Sequence, residues 1–296
     1  MEVDFHEKCS VQFFGTKKAP KLLYTLDQMN ELALCVVERS IAVPGVQPKL
    51  SMSIIEEAQD QRLTVVGALG GNYIFKPPSI EYPEMPQNEH ITMLLAEYLK
   101  IKKVPSSLIR LKSGELSYIT KRIDRKNNGS KVHMLDMFQI TEAFDKYKSS
   151  MEKIGKAIGQ FSINTILDKL IFFEITVFSF ITGNNDMHLK NFSMILGNSG
   201  WVLAPAYDLL NVSIVNPDDL EELALTLNGK KSKFVKTHFD DFGISLGLTI
   251  KQIEGVFKRF EKNKKGMIEI IKNSFLSKEL QLNYIELLEE RFTRLY

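Results

Sequence analysis

Apolar residues recur at helical spacing along several long stretches of the chain. They alternate with polar residues along a few short ones. From Thr25, a hydroxyl residue suited to an N-cap, "LDQMNELALCVVERS" predicts a helix. "NEHITMLLAEYLKI" puts Ile91, Leu94, Leu95, Tyr98 and Leu99 on one face, which predicts a second helix with Asn88 as its cap and Glu89 in its first turn. The most hydrophobic window, Ile166–Ile181, is shorter than the ~20 residues a membrane span needs. It also carries Asp168, Lys169 and Glu174, so it predicts a buried helix. Residues 250–296 predict two amphipathic helices, one built on Ile253, Phe257 and Phe260, the other on Leu280, Tyr284, Leu287 and Leu288.

Strand signals cluster earlier. Leu50, Met52 and Ile54 alternate with Ser51 and Ser53. A second strand ends at "NYIFKPP", where Pro77-Pro78 stops it. "SLIRLKSGELSYITKRIDRK" predicts a hairpin about Ser113-Gly114. From about residue 135 the pattern is mostly helical, apart from a small hairpin in "NFSMILGNSGWVLAP" turning at Gly197-Asn198. Residues 1–24 read as mixed and turn-rich. The expectation is an α+β chain with a strand-rich part over 1–122, a helix-rich part over 123–296 and a join near 121–127.

Composition changes this picture little. The 296 residues are 44% hydrophobic and 25% charged, enough apolar material for a core without metal or disulfides. A net charge of +2 gives no global basic field of the kind non-specific nucleic-acid binding uses. Lys230, Lys231, Lys233 and Lys236 form one basic cluster, read as a solvated helix face. Cys9 and Cys35 fit no metal-ligand spacing and read as reduced thiols. With "MEVDFHEKCS" lacking the order of a signal peptide, the expectation is a cytoplasmic protein with no membrane contact.

Four features carry candidate chemistry. "VPGVQPK", Val43–Lys49, is a glycine-containing loop whose backbone N–H groups suit phosphate oxygens, although a plain turn has the same sequence. Lys76 ends a strand and Glu89 opens a helix. A lysine on an internal strand needs a partner, and a Lys–Glu pair beside a phosphate loop is a phosphoryl-transfer arrangement. On an edge strand the same lysine would simply face water. "GNNDMHLKNFSMI" follows the buried helix. Asp186 can accept a hydroxyl proton, Asn191, five residues on, can hold a metal through its amide oxygen, and Lys190 can neutralise a phosphoryl group. His188 is either structural or a ligand contact. Finally, Asp208 in "APAYDLLN" can bind Mg²⁺ as a hard oxygen donor, or cap a helix over "LLN".

Together these segments resemble the HipA family of bacterial toxin kinases, from about Ile41 to Asn211. "GVQPKLS" is similar to the family's phosphate loop, "YIFKPPS…NEHITMLLAEYL" to its lysine strand and following helix, and "ITKRIDR" to its hinge. "DMHLKNFSM" is similar to its catalytic loop and "APAYDLLN" to its metal-binding motif. The resemblance implies a two-lobed protein kinase-like fold that transfers the γ-phosphate of ATP, with Mg²⁺, to a serine of a protein. It implies Asp186 as base, Asn191 and Asp208 on the metal, and Glu89 as the structural partner of Lys76. It assigns ATP contacts to Pro44, Gly45, Val46, Gln47, Lys49, Lys76, Lys121, Ile123, Asp124, His188, Lys190, Asn191, Tyr207 and Asp208. It also implies an aminoacyl-tRNA synthetase as substrate class and a HipB-like DNA-binding antitoxin, with DNA reached through that partner.

Two departures matter. Full-length HipA proteins carry an extra subdomain of roughly a hundred residues ahead of this core. Only about 40 residues precede the loop in this sequence. That shape resembles HipT, the kinase of three-gene systems in which a small HipS-like protein supplies the missing part. The serine that precedes the HipA loop is replaced by Ala42, whereas Ser51 and Ser53 form an S-x-S just after the loop, the expected autophosphorylation sites. Two other readings share these motifs: a small-molecule or lipid kinase, and an inactive binding module in an antitoxin–DNA complex.

Overall fold

A computed structural model describes residues 5–39, 49–57, 60–66, 70–79, 81–126 and 129–296. Two compact units emerge, and each is discontinuous in sequence: Met1–His90 with Val104–Lys131, and Ile91–Lys103 with Val132–Tyr296. Composition alone places one division at 122/123. The segment Ile91–Lys103 counts with the helical unit because its side chains and backbone bond there. Thr92 Oγ1 lies 2.9 Å from the Tyr284 hydroxyl, and the Ala206 N–H donates to the Lys102 carbonyl.

In the first unit, α1 (Glu7–Phe14), β1 (Lys21–Leu22) and α2 (Leu26–Arg39) precede β2 (Leu50–Glu57), β3 (Asp60–Val65) and β4 (Tyr73–Lys76). Next come the start of α3 (Met85–Tyr98), β5 (Ser106–Arg110) and β6 (Leu116–Lys121). The sheet runs β1-β3-β2-β4-β6-β5, antiparallel except for β1 against β3. Its core joins Phe13, Phe14 and Met29 to Leu50, Met52, Phe75 and Ile119 of the strands. Period-two alternation therefore turns Ser51 and Ser53 to the opposite face, half-buried. Thr25 caps α2 reciprocally: the Gln28 N–H donates to Thr25 Oγ1 and the Thr25 N–H to Gln28 Oε1.

Two sequence expectations for α3 need correction. The helix begins at Met85, ahead of Asn88, because Pro86 is pre-organised for a first turn and lacks the N–H that would go unpaired there. Asn88 is consequently inside the helix and fully buried, and Leu94 and Tyr98 are more than a third exposed, leaving Ile91, Met93, Leu95, Ala96 and Leu99 as the buried apolar set.

The second unit contains β7 (Met134–Asp136), α4 (Met137–Ile140), α5 (Met151–Phe161), α6 (Thr165–Ile181), β8 (Ser193–Leu196) and β9 (Trp201–Leu203). It ends with α7 (Lys236–Ser245), α8 (Ile250–Lys272) and α9 (Lys278–Leu295). Helix α6 is its axis. Phe172, Phe173, Phe178 and Phe180 are fully buried, and the rings of Phe172 and Phe173 meet Phe192, Phe242 and Phe257. Polar groups on α6 are matched. Thr176, Ser179 and Thr182 donate to carbonyls one turn back, and Asp168 accepts from Ser162 Oγ and the Leu203 N–H. Glu174 pairs with Arg259 at 2.8 Å. The Lys230–Lys236 cluster is not a helix face: only Lys236 lies on α7, where it pairs with Asp240, while Lys231 pairs with Glu221. Among the described residues, no helix is long and apolar enough to cross a membrane.

Candidate active site

Within the first unit, β4 lies between β2 and β6, so Lys76 is on an internal strand. Its side chain is 4% exposed, and its ammonium meets both Glu89 oxygens at 2.6 and 2.7 Å. Glu89 itself is 1% exposed. An edge-strand lysine facing water is ruled out. A buried charge of this kind persists only when an opposite charge and hydrogen bonds replace its lost hydration. The Tyr118 ring lies 5.4 Å from the same ammonium.

The other candidates of this unit have different surroundings. Lys49 is exposed at the foot of β2. Pro44, Gly45, Val46 and Gln47 lie outside the described residues. Lys121, at the end of β6, sits 5.8 Å from the Phe13 ring, and partial burial lowers its pKa. Ile123 is half-buried in the turn that follows. Asp124 is held by two arginines, with Arg122 giving bonds of 3.0 and 2.7 Å and Arg125 one of 2.5 Å. Burial alone would raise its pKa, but the arginines outweigh that and hold it below the ordinary value.

In the second unit α6 ends at Ile181 and the chain turns at Gly183, whose φ of 67° lies in the left-handed region. The Gly183 carbonyl accepts from the N–H groups of Val212 and Ser213, which fastens the turn to the segment after Asp208. The loop then closes on itself. The His188 N–H donates to the Asp186 carbonyl, the Asn191 N–H to that of His188, and Asn191 Nδ2 to that of Asp186 at 2.8 Å. A 3-10 turn over Leu189–Asn191 leads into β8. Asp186 and Asn191, five residues apart, are thus tied by a side chain.

With Nδ2 committed, Asn191 Oδ1 has no donor among the described residues, nor has Asp186 Oδ2. Both are hard oxygens. A second tie is made by Tyr207, the residue before Asp208. The Tyr207 hydroxyl donates to the Lys190 carbonyl at 2.9 Å, and Ser193 Oγ lies 2.5 Å from it. Burial raises the Tyr207 pKa, so it stays a donor. No helix follows Asp208, whose φ is 55°, so it is not a helix cap. Asn191 and Asp208 carry an amide and a carboxylate oxygen, donors of the kind a hard divalent cation takes. Among the described residues, no group of three or more His, Cys, Asp or Glu forms a metal cage.

His188 is buried, and burial lowers its pKa against the opposing charge of Asp186. Lys190 is exposed, its ammonium 5.0 Å from the Phe138 ring. Sequence reasoning missed Tyr147, whose hydroxyl donates to Asp186 Oδ1 at 2.8 Å and whose ring meets His188 edge-on. It also missed Asp219, which accepts from Asn185 Nδ2. No motif contains either residue.

A sheet with an internal lysine answered by a helix glutamate, and a helical unit whose buried helix runs into a polar loop and hairpin, define a protein kinase-like fold. The chain belongs to the HipA family, because the HipA-like C-terminal domain matches residues 41–267. A Haemophilus influenzae protein named "Putative kinase" is 27% identical over 81% of this chain and 77% of its own length. The "Serine/threonine-protein kinase toxin HipA" of Shewanella oneidensis is 23% identical over 74% of this chain, which spans 55% of that relative. The solved complex of Shewanella oneidensis HipA with HipB and operator DNA matches with a TM-score of 0.70 at 22% identity, over 86% of this chain and 65% of that one.

Proposed function

We propose that the protein is a serine/threonine protein kinase that uses Asp186 as base, and that it acts as the toxin of a toxin–antitoxin system. The observation carrying this reading is the closure of Asn191 onto the Asp186 carbonyl, which presents one carboxylate oxygen and one amide oxygen from a rigid loop. Bound ATP with Mg²⁺ supplies the phosphoryl group. Asn191 and Asp208 hold the metal, Lys76 the α- and β-phosphates, and Lys49 with Pro44, Gly45, Val46 and Gln47 the phosphate side of the nucleotide. Lys121, Ile123 and Asp124 take the nucleoside end, and Tyr207, whose hydroxyl bonds the Lys190 carbonyl, completes the ATP contacts. Asp186 accepts the proton of the attacking serine hydroxyl, while His188 and Lys190 line the phosphate side. Positioning and electrostatics do the rest.

The substrate class follows the family: a protein, expected to be an aminoacyl-tRNA synthetase. Partners are a HipB-like antitoxin, which alone touches DNA, and a HipS-like small protein. Ser51 and Ser53 are the autophosphorylation sites. Both lie on the β2 face turned away from the core, which supports their access to modification. A phosphate there adds nearly two negative charges close after the loop assigned to ATP and weakens nucleotide binding.

The test is transfer of ³²P from γ-labelled ATP into lysate protein by wild type and Asp186→Asn, with phosphosite mapping. Protein bands lost in the variant support the reading. Label found only in small molecules points to a small-molecule kinase, and absence of MgATP-dependent thermal stabilisation points to an inactive binding module.

A further inference from the structure

We infer that Tyr147 is a positioning residue for phosphoryl transfer, holding one oxygen of Asp186 so that the other faces the acceptor hydroxyl. This rests on the reading of Asp186 as base. The Tyr147 hydroxyl donates to Asp186 Oδ1 at 2.8 Å, and Oδ2 takes no hydrogen bond among the described residues. A carboxylate on a loop otherwise rotates about its terminal torsion, which is broad for Asp. One fixed oxygen removes that freedom and leaves a defined acceptor.

The segment bearing Tyr147 is itself anchored at several points. The Tyr147 N–H donates to Asp145 Oδ1, and the Lys146 carbonyl accepts from the Leu189 N–H inside the catalytic loop. Two residues on, the Ser149 carbonyl accepts from the N–H and Oγ1 of Thr226, and Ser150 caps α5. The ring of Tyr147 is 4.7 Å from the Lys146 ammonium and 5.0 Å from the His188 ring. Tyr147 is 40% exposed, and these two contacts with the hydroxyl's bond to Asp186 set the ring's orientation. The phenol stays protonated because burial and the neighbouring Asp186 charge both raise its pKa.

Two variants separate the hydroxyl from the ring. Tyr147→Phe keeps the packing and removes the donor, whereas Tyr147→Leu removes both. The readouts are the initial rate of ³²P transfer to lysate protein at saturating MgATP, the ATP concentration at half-rate, and the melting temperature. A bond to a charged group implies a rate loss of roughly tenfold to a hundredfold. The expected result is the same loss for Phe and Leu, with the half-rate ATP concentration within twofold of wild type and the melting temperature of the Phe variant unchanged. A Phe variant with wild-type or higher rate overturns the inference. So does a loss accompanied by weaker ATP use or a lowered melting temperature, which marks a structural role. Asp186→Asn is measured alongside. If it keeps its rate, the base reading itself falls. If it is inactive while the Phe variant is not, only the role of Tyr147 falls.

Discussion

Replacing Glu89 by Gln removes the carboxylate charge facing Lys76 and preserves its shape. At 2.6 and 2.7 Å, two unit charges attract by about 6 kcal/mol at an effective dielectric near 20. Desolvation of two nearly sealed side chains, 4% and 1% exposed, offsets much of that attraction in the native protein. The offset vanishes for Glu89 in the variant but not for Lys76, which stays buried and charged. Glu89→Gln should therefore lose about 3–5 kcal/mol. The double variant Lys76→Met with Glu89→Leu removes both charges, so it should recover most of that loss while failing to gain stability from MgATP. Urea unfolding followed by far-UV circular dichroism gives the stabilities, and thermal shifts with MgATP give the binding. The reasoning is refuted if Glu89→Gln stays within 1 kcal/mol of wild type, a threshold below any buried-pair loss. It is also refuted if the apolar double variant is no more stable than Glu89→Gln.

Two further outcomes follow from the second unit. Glu222 accepts from Arg294 and the Phe234 N–H and is ion-paired with Arg291, and although burial alone would raise its pKa, these groups hold it below the ordinary 4.5. Its contribution is thus fully present above about pH 4.5 and lost as pH falls through the lower folded value. Glu222→Gln should cost about 3 kcal/mol at pH 7 and show a flatter acid limb than wild type; parallel acid limbs in urea titrations would count against the assignment. Gly183→Ala places a methyl 2.4 Å from Leu287 Cδ2 and 2.7 Å from Asn211 Oδ1 at a φ of 67°. It should cost at least about 1–2 kcal/mol and, on the proposed reading, lower ³²P transfer as the loop bearing Asp186 shifts. A variant with wild-type urea midpoint and rate would remove Gly183 from the loop's support.

Much of this fold is legible because long periodic segments leave few alternatives. Helices α2, α3, α6, α8 and α9 and the two hairpins all follow from apolar spacing and turn residues. What escapes is short or depends on distant partners. Helix α1 has eight residues, and its Phe13 and Phe14 are buried in a core that joins them to distant residues such as Tyr73. Strand β7 has three residues, paired to β8 some sixty positions later. Asp186, Asn191, Lys76 and Asp208 stand out because chemistry fixes their spacing. Tyr147 does not, because its bond to Asp186 spans 39 residues of chain and belongs to no local pattern. The arginines flanking Asp124 were visible as charges, yet only the turn shows both reaching one carboxylate.

The β8–β9 hairpin has a consequence for how such chains can vary in length. Met194 pairs with Leu203 and Leu196 with Trp201, and Tyr207 then bonds back to Lys190. This makes the hairpin a ruler between Asn191 and Asp208. One residue inserted within either strand would invert every side chain beyond it and carry Asp208 away from Asn191. Residues added at the tip, between Leu196 and Trp201, leave both legs of the ruler untouched. Natural relatives should therefore differ in length at that tip while keeping the strand lengths fixed. The spacing from Asn191 to Asp208 is in that sense two constants joined by one free parameter.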